Sequence, residues 1–343
     1  MTLAWHGAMT DEFLELSNDK IMNVLLVDFD SKIPNLALMK ISAYFKSQGH
    51  IVSFKIPNPD IIFISVIFSK NKEKVKRLIN YWKFTIPNAI INVGGSGWDD
   101  YSVKPAIVSC LPAKIEIMQP DYSLYPDCDY YIGFTTRGCI RNCSFCIVRS
   151  KEGYLKNSFD ISEICNGHNF KKIKLLDNNI LANKNRFIET TTWIKEHKLY
   201  VDFNQGLDTR LIDKEYTDIL AGLKIWPDIK IAFDSMTYKN DVFKALSLMK
   251  ESGINIRSKV RCYVYCHGDE QYDDAVTRCN LLKEWGTVPF VMVDPTGNIT
   301  QRVKDLRRWG TRAPLTMSMD ISEYNNKYRS KQTITDQPSL ETF

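Results

Sequence analysis

Three cysteines, Cys139, Cys143 and Cys146, stand within eight residues in the run Thr-Thr-Arg-Gly-Cys-Ile-Arg-Asn-Cys-Ser-Phe-Cys-Ile-Val. Soft thiolates at this CxxxCxxC spacing suit zinc or an iron-sulfur cluster. A cube that only carries electrons is normally held by four cysteines. Three cysteines leave one iron open to an exogenous ligand, and that iron is where chemistry would occur. Zinc would need a fourth ligand, and no CxxC or HxxxH partner at zinc-site spacing appears elsewhere. His168 and His197 are isolated in polar, Lys-rich surroundings. Plain packing of cysteine as a small hydrophobe is the remaining structural reading.

The spacing, with Phe145 immediately before the third cysteine, resembles the signature of the radical S-adenosylmethionine (SAM) superfamily. That resemblance implies a 4Fe-4S cluster on Cys139, Cys143 and Cys146, with Phe145 beside the cofactor. It implies that the amino and carboxylate groups of SAM chelate the open iron, and that an electron from the reduced cluster releases a 5'-deoxyadenosyl radical that abstracts hydrogen from a substrate. A flavodoxin- or ferredoxin-type electron donor is the partner such chemistry implies, together with an unidentified substrate.

The elements that must position these residues alternate strand and helix. Met22–Asp28, Ile51–Ile56, Asp60–Phe68 and Ala89–Val93 read as strands, the third a continuous apolar run of the kind buried on both faces. Pro34–Gly49 and Lys72–Phe84 read as the helices between them. Such alternation specifies a doubly wound parallel sheet, with ligand sites at the carboxyl ends of the strands, where Asp28, Asp30, Ser31 and Gly94–Gly97 fall. This Rossmann-like domain resembles the cobalamin-binding module that precedes many radical SAM domains. However, the module's cobalt-ligating DxHxxG histidine is missing from Asp28-Phe-Asp-Ser-Lys-Ile-Pro-Asn35, so cobalamin is disfavoured though not excluded.

After the cysteines, strands are expected at Lys172–Leu176, Leu199–Phe203, Ile229–Phe233, Ser258–Tyr265 and Pro289–Val293, preceded by Tyr130–Phe134. Six such strands interleaved with helices are similar to the partial (β/α)6 barrel of the superfamily, with functional residues at strand C-termini. The expected organisation is an extension over 1–21, a Rossmann-like domain over 22–111, a linker over 112–130, the barrel over 131–310, and a tail or lid over 311–343.

The same resemblance assigns candidate cofactor contacts. The run Asp177-Asn178-Asn179 follows the second barrel strand, where the SAM amino group binds, with Asp177 and Asn178 as the leading candidates. Gln205, Asp208 and Arg210 follow the third and face ribose, carboxylate or substrate, a bidentate Arg being well matched to a carboxylate. Asp234 and Ser235 stand where the family has Glu-Ser near the ribose. The fifth strand ends in Val264-Tyr-Cys-His-Gly-Asp-Glu270, at the place of the family's adenine-contacting turn; Tyr265 and Cys266 are candidate catalytic hydrogen donors. Cys262 and Cys266 share a strand face by its period of two, with Cys279 further on, a possible auxiliary cluster set against core packing.

At 343 residues, with 44% hydrophobic and 25% charged residues, the chain has an ordinary globular composition long enough for two domains. A formal charge of +5 is too diffuse to indicate nucleic acid; the basic runs Lys70–Arg77 and Arg302–Arg312 read as solvated helix faces. No apolar run approaches the length of about 18 residues that spans a membrane. Acidic residues near the N-terminus and nine cysteines suit a reducing, cytoplasmic setting. The leading reading is a radical SAM enzyme. Its rivals are a cobalamin-dependent methyltransferase, a methylthiotransferase acting on RNA, for which the N-terminal domain offers Cys110 where three cysteines are needed, and a non-enzymatic iron-sulfur binding module.

Overall fold

The computed structural model describes residues 2–4, 20–103 and 106–324. The chain divides into two compact units, residues 1–133 with 141–154 and residues 134–140 with 155–343. In the first, Thr2–Ala4 (β1), Asn23–Asp28 (β2), Leu36–Ser47 (α1), Ile51–Ser53 (β3), Ile61–Ser65 (β4), Lys72–Thr85 (α2) and Ile90–Gly94 (β5) form a sheet in the order β1-β5-β4-β2-β3. Every pair is parallel, for example Leu26 with Phe63 and Ile64 with Val93.

Local sequence explains the elements. The whole of β4 is buried, which accounts for its unbroken apolar run. Helix α1 starts at Asn35, whose side chain accepts from the Leu38 N–H at 3.2 Å, and stops before Gly49, whose φ of +84° only glycine adopts without strain. Val24, Leu26, Leu38, Ile41, Phe45 and Phe63 form the core on one face of the sheet. Ile62, Ile64, Val75, Ile79 and Val93 form it on the other.

Two expectations are corrected here. Part of the presumed extension, Thr2–Ala4, is an edge strand paired with β5; residues 5–19 lie outside the described residues. The presumed linker over 112–130 belongs to the first unit: it holds Ala113–Glu116 (α3), Ile115 is fully buried in the core, and Asp121 accepts from Ser42 Oγ and Lys46 Nζ, each at 2.6 Å. Its Pro and Asp residues make turns, while Ile115 and Tyr122 anchor it. Tyr131–Gly133 (β6) and Val148–Lys151 (α4) complete this unit.

The second unit contains Thr136–Arg137 (β7), Lys156–Asn157 (β8), Ile161–Ile164 (α5), Lys172–Leu175 (β9), Lys184–Glu196 (α6), Tyr200–Phe203 (β10), Lys214–Ala221 (α7), Lys224–Ile225 (β11), Ile229–Ala232 (β12), Lys239–Glu251 (α8), Ile256–Lys259 (α9), Val260–Cys266 (β13), Tyr272–Glu284 (α10), Val288–Val293 (β14), Gln301–Gly310 (α11) and Ala313–Ser318 (α12). Strands β9, β10 and β11 pair in parallel, as do β12, β13 and β14, and an isolated parallel bridge between Leu207 and Ile231 joins the two groups. Strands stand at all the anticipated places. The fifth starts later than expected, because Asn255 caps α9 by accepting from the Ser258 N–H at 3.2 Å.

On β13 Val260, Cys262, Val264 and Cys266 are buried while Arg261, Tyr263 and Tyr265 are not. Asp202 on β10 receives both Lys174 of β9 and Lys230 of β12. The expected tail also needs correction: residues 311–324 are built into the fold. Trp309 is fully buried and donates from Nε1 to the Met319 carbonyl at 3.1 Å, and Thr316 Oγ1 donates to the Trp309 carbonyl at 2.7 Å. Residues 325–343 lie outside the described residues. Among the described residues no helix is long and apolar enough to cross a membrane.

Candidate functional site

Strand β7 delivers the chain to Gly138 and Cys139, and its position is set from the end of β9. Asp177 Oδ1 accepts from Thr135 Oγ1 at 2.6 Å, Thr136 N–H at 2.5 Å and Thr136 Oγ1 at 2.8 Å, while Oδ2 accepts from Thr135 N–H at 3.1 Å. Asn178 Oδ1 accepts from Gly138 N–H at 2.9 Å. Asp177 and Asn178 therefore spend their acceptors on the loop that presents Cys139. The next residue, Asn179, reaches the cysteine itself: Nδ2 lies 3.5 Å from Cys139 Sγ and 3.3 Å from Asp208 Oδ2. Its Oδ1 is buried with no hydrogen-bond partner among the described residues, an expensive condition that a bound donor would relieve.

From Asn179 a polar chain runs along the carboxyl ends of successive strands. Asp208 Oδ1 accepts from Arg210 N–H at 3.3 Å and Nε at 2.7 Å. The Arg210 guanidinium lies 4.7 Å from the Tyr238 ring centre, and the Tyr238 oxygen accepts from Asp234 N–H at 2.7 Å. Asp234 Oδ1 in turn accepts from Tyr265 N–H at 3.1 Å. Burial pushes the Asp234 carboxyl up to about 6, against the pull of the Tyr265 N–H, Arg278 and Arg210. Ser235 caps the turn after β12, its Oγ accepting from Thr237 N–H at 3.2 Å. Gln205 is exposed at the end of β10.

At β13 and β14 the chain ends in a phenol, a carboxylate and an imidazole. Tyr265 donates its hydroxyl to Asp294 Oδ2 at 2.6 Å, and His267 Nδ1 lies 3.3 Å from the same oxygen. Burial alone would raise Asp294, but the donors Tyr265, Thr296 and His267 outweigh it and hold the carboxyl at about 2. Burial and the carboxylate push the Tyr265 phenol up. Cys266, its neighbour, is turned to the buried face with Cys262, where both thiols are raised first by burial; Cys262 also senses Cys279 of α10. Of the two readings of Cys266, core packing and hydrogen donor, its burial fits the first.

Cys143 and Cys146 lie in the first unit's segment, joined by a Cys146 N–H to Cys143 carbonyl bond of 3.0 Å, with Phe145 41% exposed between them. All three motif cysteines are half-buried. Among the described residues no group of three or more His, Cys, Asp or Glu side chains is assembled as a ligand set, so neither the motif nor Cys262, Cys266 and Cys279 stands preformed. The donor chemistry nonetheless fits a cluster: three thiols accessible in part, with the buried, unpartnered amide oxygen of Asn179 on the side chain that reaches the first.

Sequence reasoning placed Asn179 in the right run but singled out its neighbours Asp177 and Asn178, and it missed Thr135, Thr136, Asp294 and Arg278. Arg278 on α10 is fully buried and donates to the Phe233 carbonyl at 2.7 Å and the Tyr265 carbonyl at 2.9 Å, tying the ends of β12 and β13 together. Asp294 at the end of β14 could have been found by the strand-end rule that found Asp234; a helical arginine offers no such signal.

No protein-family model matches the chain, and no curated protein matches its sequence. Its fold has solved counterparts. The radical S-adenosylmethionine methyltransferase TsrM from Kitasatospora setae, with cobalamin and a 4Fe-4S cluster bound, superposes with a TM-score of 0.57 at 11% identity, over 80% of this chain and 75% of TsrM. OxsB, a cobalamin-dependent S-adenosylmethionine radical enzyme with aqua-cobalamin bound, matches with a TM-score of 0.51 at 13% identity, over 92% of this chain but 57% of OxsB, so the chain spans little more than half of that protein. The likeness is one of fold: the chain shares the architecture of these two solved enzymes.

Proposed function

We propose that the chain is a radical SAM enzyme, with Cys139, Cys143 and Cys146 as cluster ligands. The observation that carries this reading is the polar chain from Cys139 through Asn179 and Asp208 to Arg210, an amide, a carboxylate and a guanidinium arranged beside one motif cysteine. The chemistry that a bound cluster supplies is one-electron cleavage of the SAM sulfonium to methionine and a 5'-deoxyadenosyl radical, which takes a hydrogen atom from a substrate carbon.

The protein's own groups bind and orient. Asn179 Oδ1 accepts from the SAM ammonium, and Arg210 meets the carboxylate. Asp177 and Asn178 hold the loop bearing Cys139. Asp234 and Ser235 border the ribose, with Gln205 at the rim and Phe145 beside the cofactor. Tyr265, with its hydrogen bond to Asp294, is the candidate hydrogen donor to a product radical, and a flavodoxin- or ferredoxin-type protein supplies the electron.

A second reading, a cobalamin-dependent enzyme, is favoured by the cobalamin bound in both TsrM and OxsB. Against a cobalt-ligating loop, Asp28 is already engaged, accepting from the Tyr125 hydroxyl at 2.6 Å and Ser31 N–H at 3.1 Å. One anaerobic experiment tests both: iron, sulfide and cobalt analysis of reconstituted protein, its reduced electron paramagnetic resonance spectrum with and without SAM, and release of 5'-deoxyadenosine with dithionite. About four irons with a SAM-shifted spectrum and 5'-deoxyadenosine are expected. Stoichiometric cobalt moves the assignment to the second reading, and zinc alone or indifference to SAM overturns the first.

A further inference from the structure

We propose that Lys151 is a positioning residue for two of the three motif cysteines, Cys143 and Cys146, staking the segment that carries them to the loop after β5. The inference rests on the cluster reading above.

Cys143 and Cys146 sit in a segment with little secondary structure, and only the single turn α4 follows before the chain leaves the unit. A loop of this kind does not hold thiolates in place by itself, because an ordered loop must overcome its conformational entropy through contacts. The contact is at the end of α4. Lys151 Nζ donates to Asp99 Oδ2 at 2.9 Å and to Ser96 Oγ at 3.0 Å. The Asp99 side chain is 1% exposed and that of Lys151 19%, so the pair is sheltered from solvent screening, unlike a surface ion pair. Backbone bonds from Lys151 N–H to the Ile147 carbonyl at 2.9 Å and from Glu152 N–H to the Val148 carbonyl at 2.8 Å carry that anchor back through α4 toward Cys146.

The receiving loop is closely packed and hydrogen-bonded. Gly95, with φ +105°, approaches so closely that an added Cβ would stand 2.4 Å from the Val66 carbonyl oxygen, and one on Gly97 would stand 2.5 Å from the Phe68 backbone. Ser109 locks the loop further. Its Oγ accepts from Gly95 N–H at 2.7 Å, and its N–H donates to Asp99 Oδ1 at 2.7 Å. Tyr101 adds a hydroxyl to Asp99 Oδ2 at 2.9 Å. The stake therefore reaches from a fixed point at the carboxyl edge of the parallel sheet to the segment bearing two thiols.

The test is the rate at which reconstituted protein loses iron to a bathophenanthroline chelator under anaerobic conditions, followed at about 535 nm, for wild type, Lys151→Met and Lys151→Arg. Wild type must first load a cluster; if it does not, the cluster reading fails and this one is void with it. With a loaded wild type, Lys151→Met is expected to lose iron at least tenfold faster and Lys151→Arg to stay within about threefold of wild type. Because Lys151→Met strands the buried Asp99 carboxylate, the double variant Lys151→Met/Asp99→Asn is measured beside it. Fast iron loss persisting in the double variant after its melting temperature has returned to that of wild type supports a positioning role. Iron retention equal to wild type in Lys151→Met, or recovered together with the melting temperature in the double variant, overturns it.

Discussion

Asp234 illustrates how one carboxyl can be costly and useful together. Its carboxyl is raised to about 6 from an ordinary value of 3.8, so between those two values the folded protein holds a proton there that the unfolded chain has released. Stability contributed by the neutral form is full below about pH 4 and is lost as pH rises through about 6, an order of ~3 kcal/mol. Asp234→Asn keeps an oxygen for the Tyr265 N–H and removes the ionisation. The variant should therefore melt higher than wild type at pH 8 and converge with it near pH 4, while SAM affinity falls; calorimetry across pH reads the first and isothermal titration the second. At this scale the sequence was informative about residue type and strand-end position, which brought out Asp208, Arg210 and Asp234. It was silent about which neighbour each side chain satisfies. Asp177 and Asn178 looked like ligands because they are polar at a strand end, yet four donors from Thr135 and Thr136 engage Asp177 and the Gly138 N–H engages Asn178, leaving Asn179 with the open acceptor.

Between residues and the whole lies the joint of β12 with β13. Their ladder ends where the Phe233 N–H meets the Tyr263 carbonyl at 2.8 Å. Beyond that point side chains continue it: Asp234 takes the Tyr265 N–H, and Arg278 takes the Phe233 and Tyr265 carbonyls. Arg278→Met leaves two carbonyls without their donor in a buried place and should cost about 2–5 kcal/mol, read as a fall in the urea midpoint. Arg278→Lys, which keeps the charge but has a single donor nitrogen in place of the fork, should recover part of it; a midpoint unchanged in Arg278→Met would show the strand ends to be held by other means. Strand runs such as Ile61–Ser65 were legible because apolar continuity has a single cause. The segment 112–130 was not, since Pro and Asp mark turns whether the turn is free or pinned by Ile115 and Tyr122, and only packing separates the two.

Across the molecule, nine cysteines divide by environment. Cys262, Cys266 and Cys279 are buried, and burial pushes Cys279 up to about 12. The motif cysteines are half-buried. Brief anaerobic treatment of the metal-free native protein with iodoacetamide should therefore label Cys139, Cys143 and Cys146 and spare Cys262, Cys266 and Cys279 until denaturant is added, with peptide mass spectrometry as the readout; early labelling of the buried three would contradict the packing of β13 against α10. That packing carries one more consequence. The two-residue period of β13 sends its thiols behind the strand and keeps the Tyr265 phenol in front. For the proposed radical chemistry this means that the less buried face of β13 offers a phenol oxygen, while its sulfur atoms lie on the opposite, buried face.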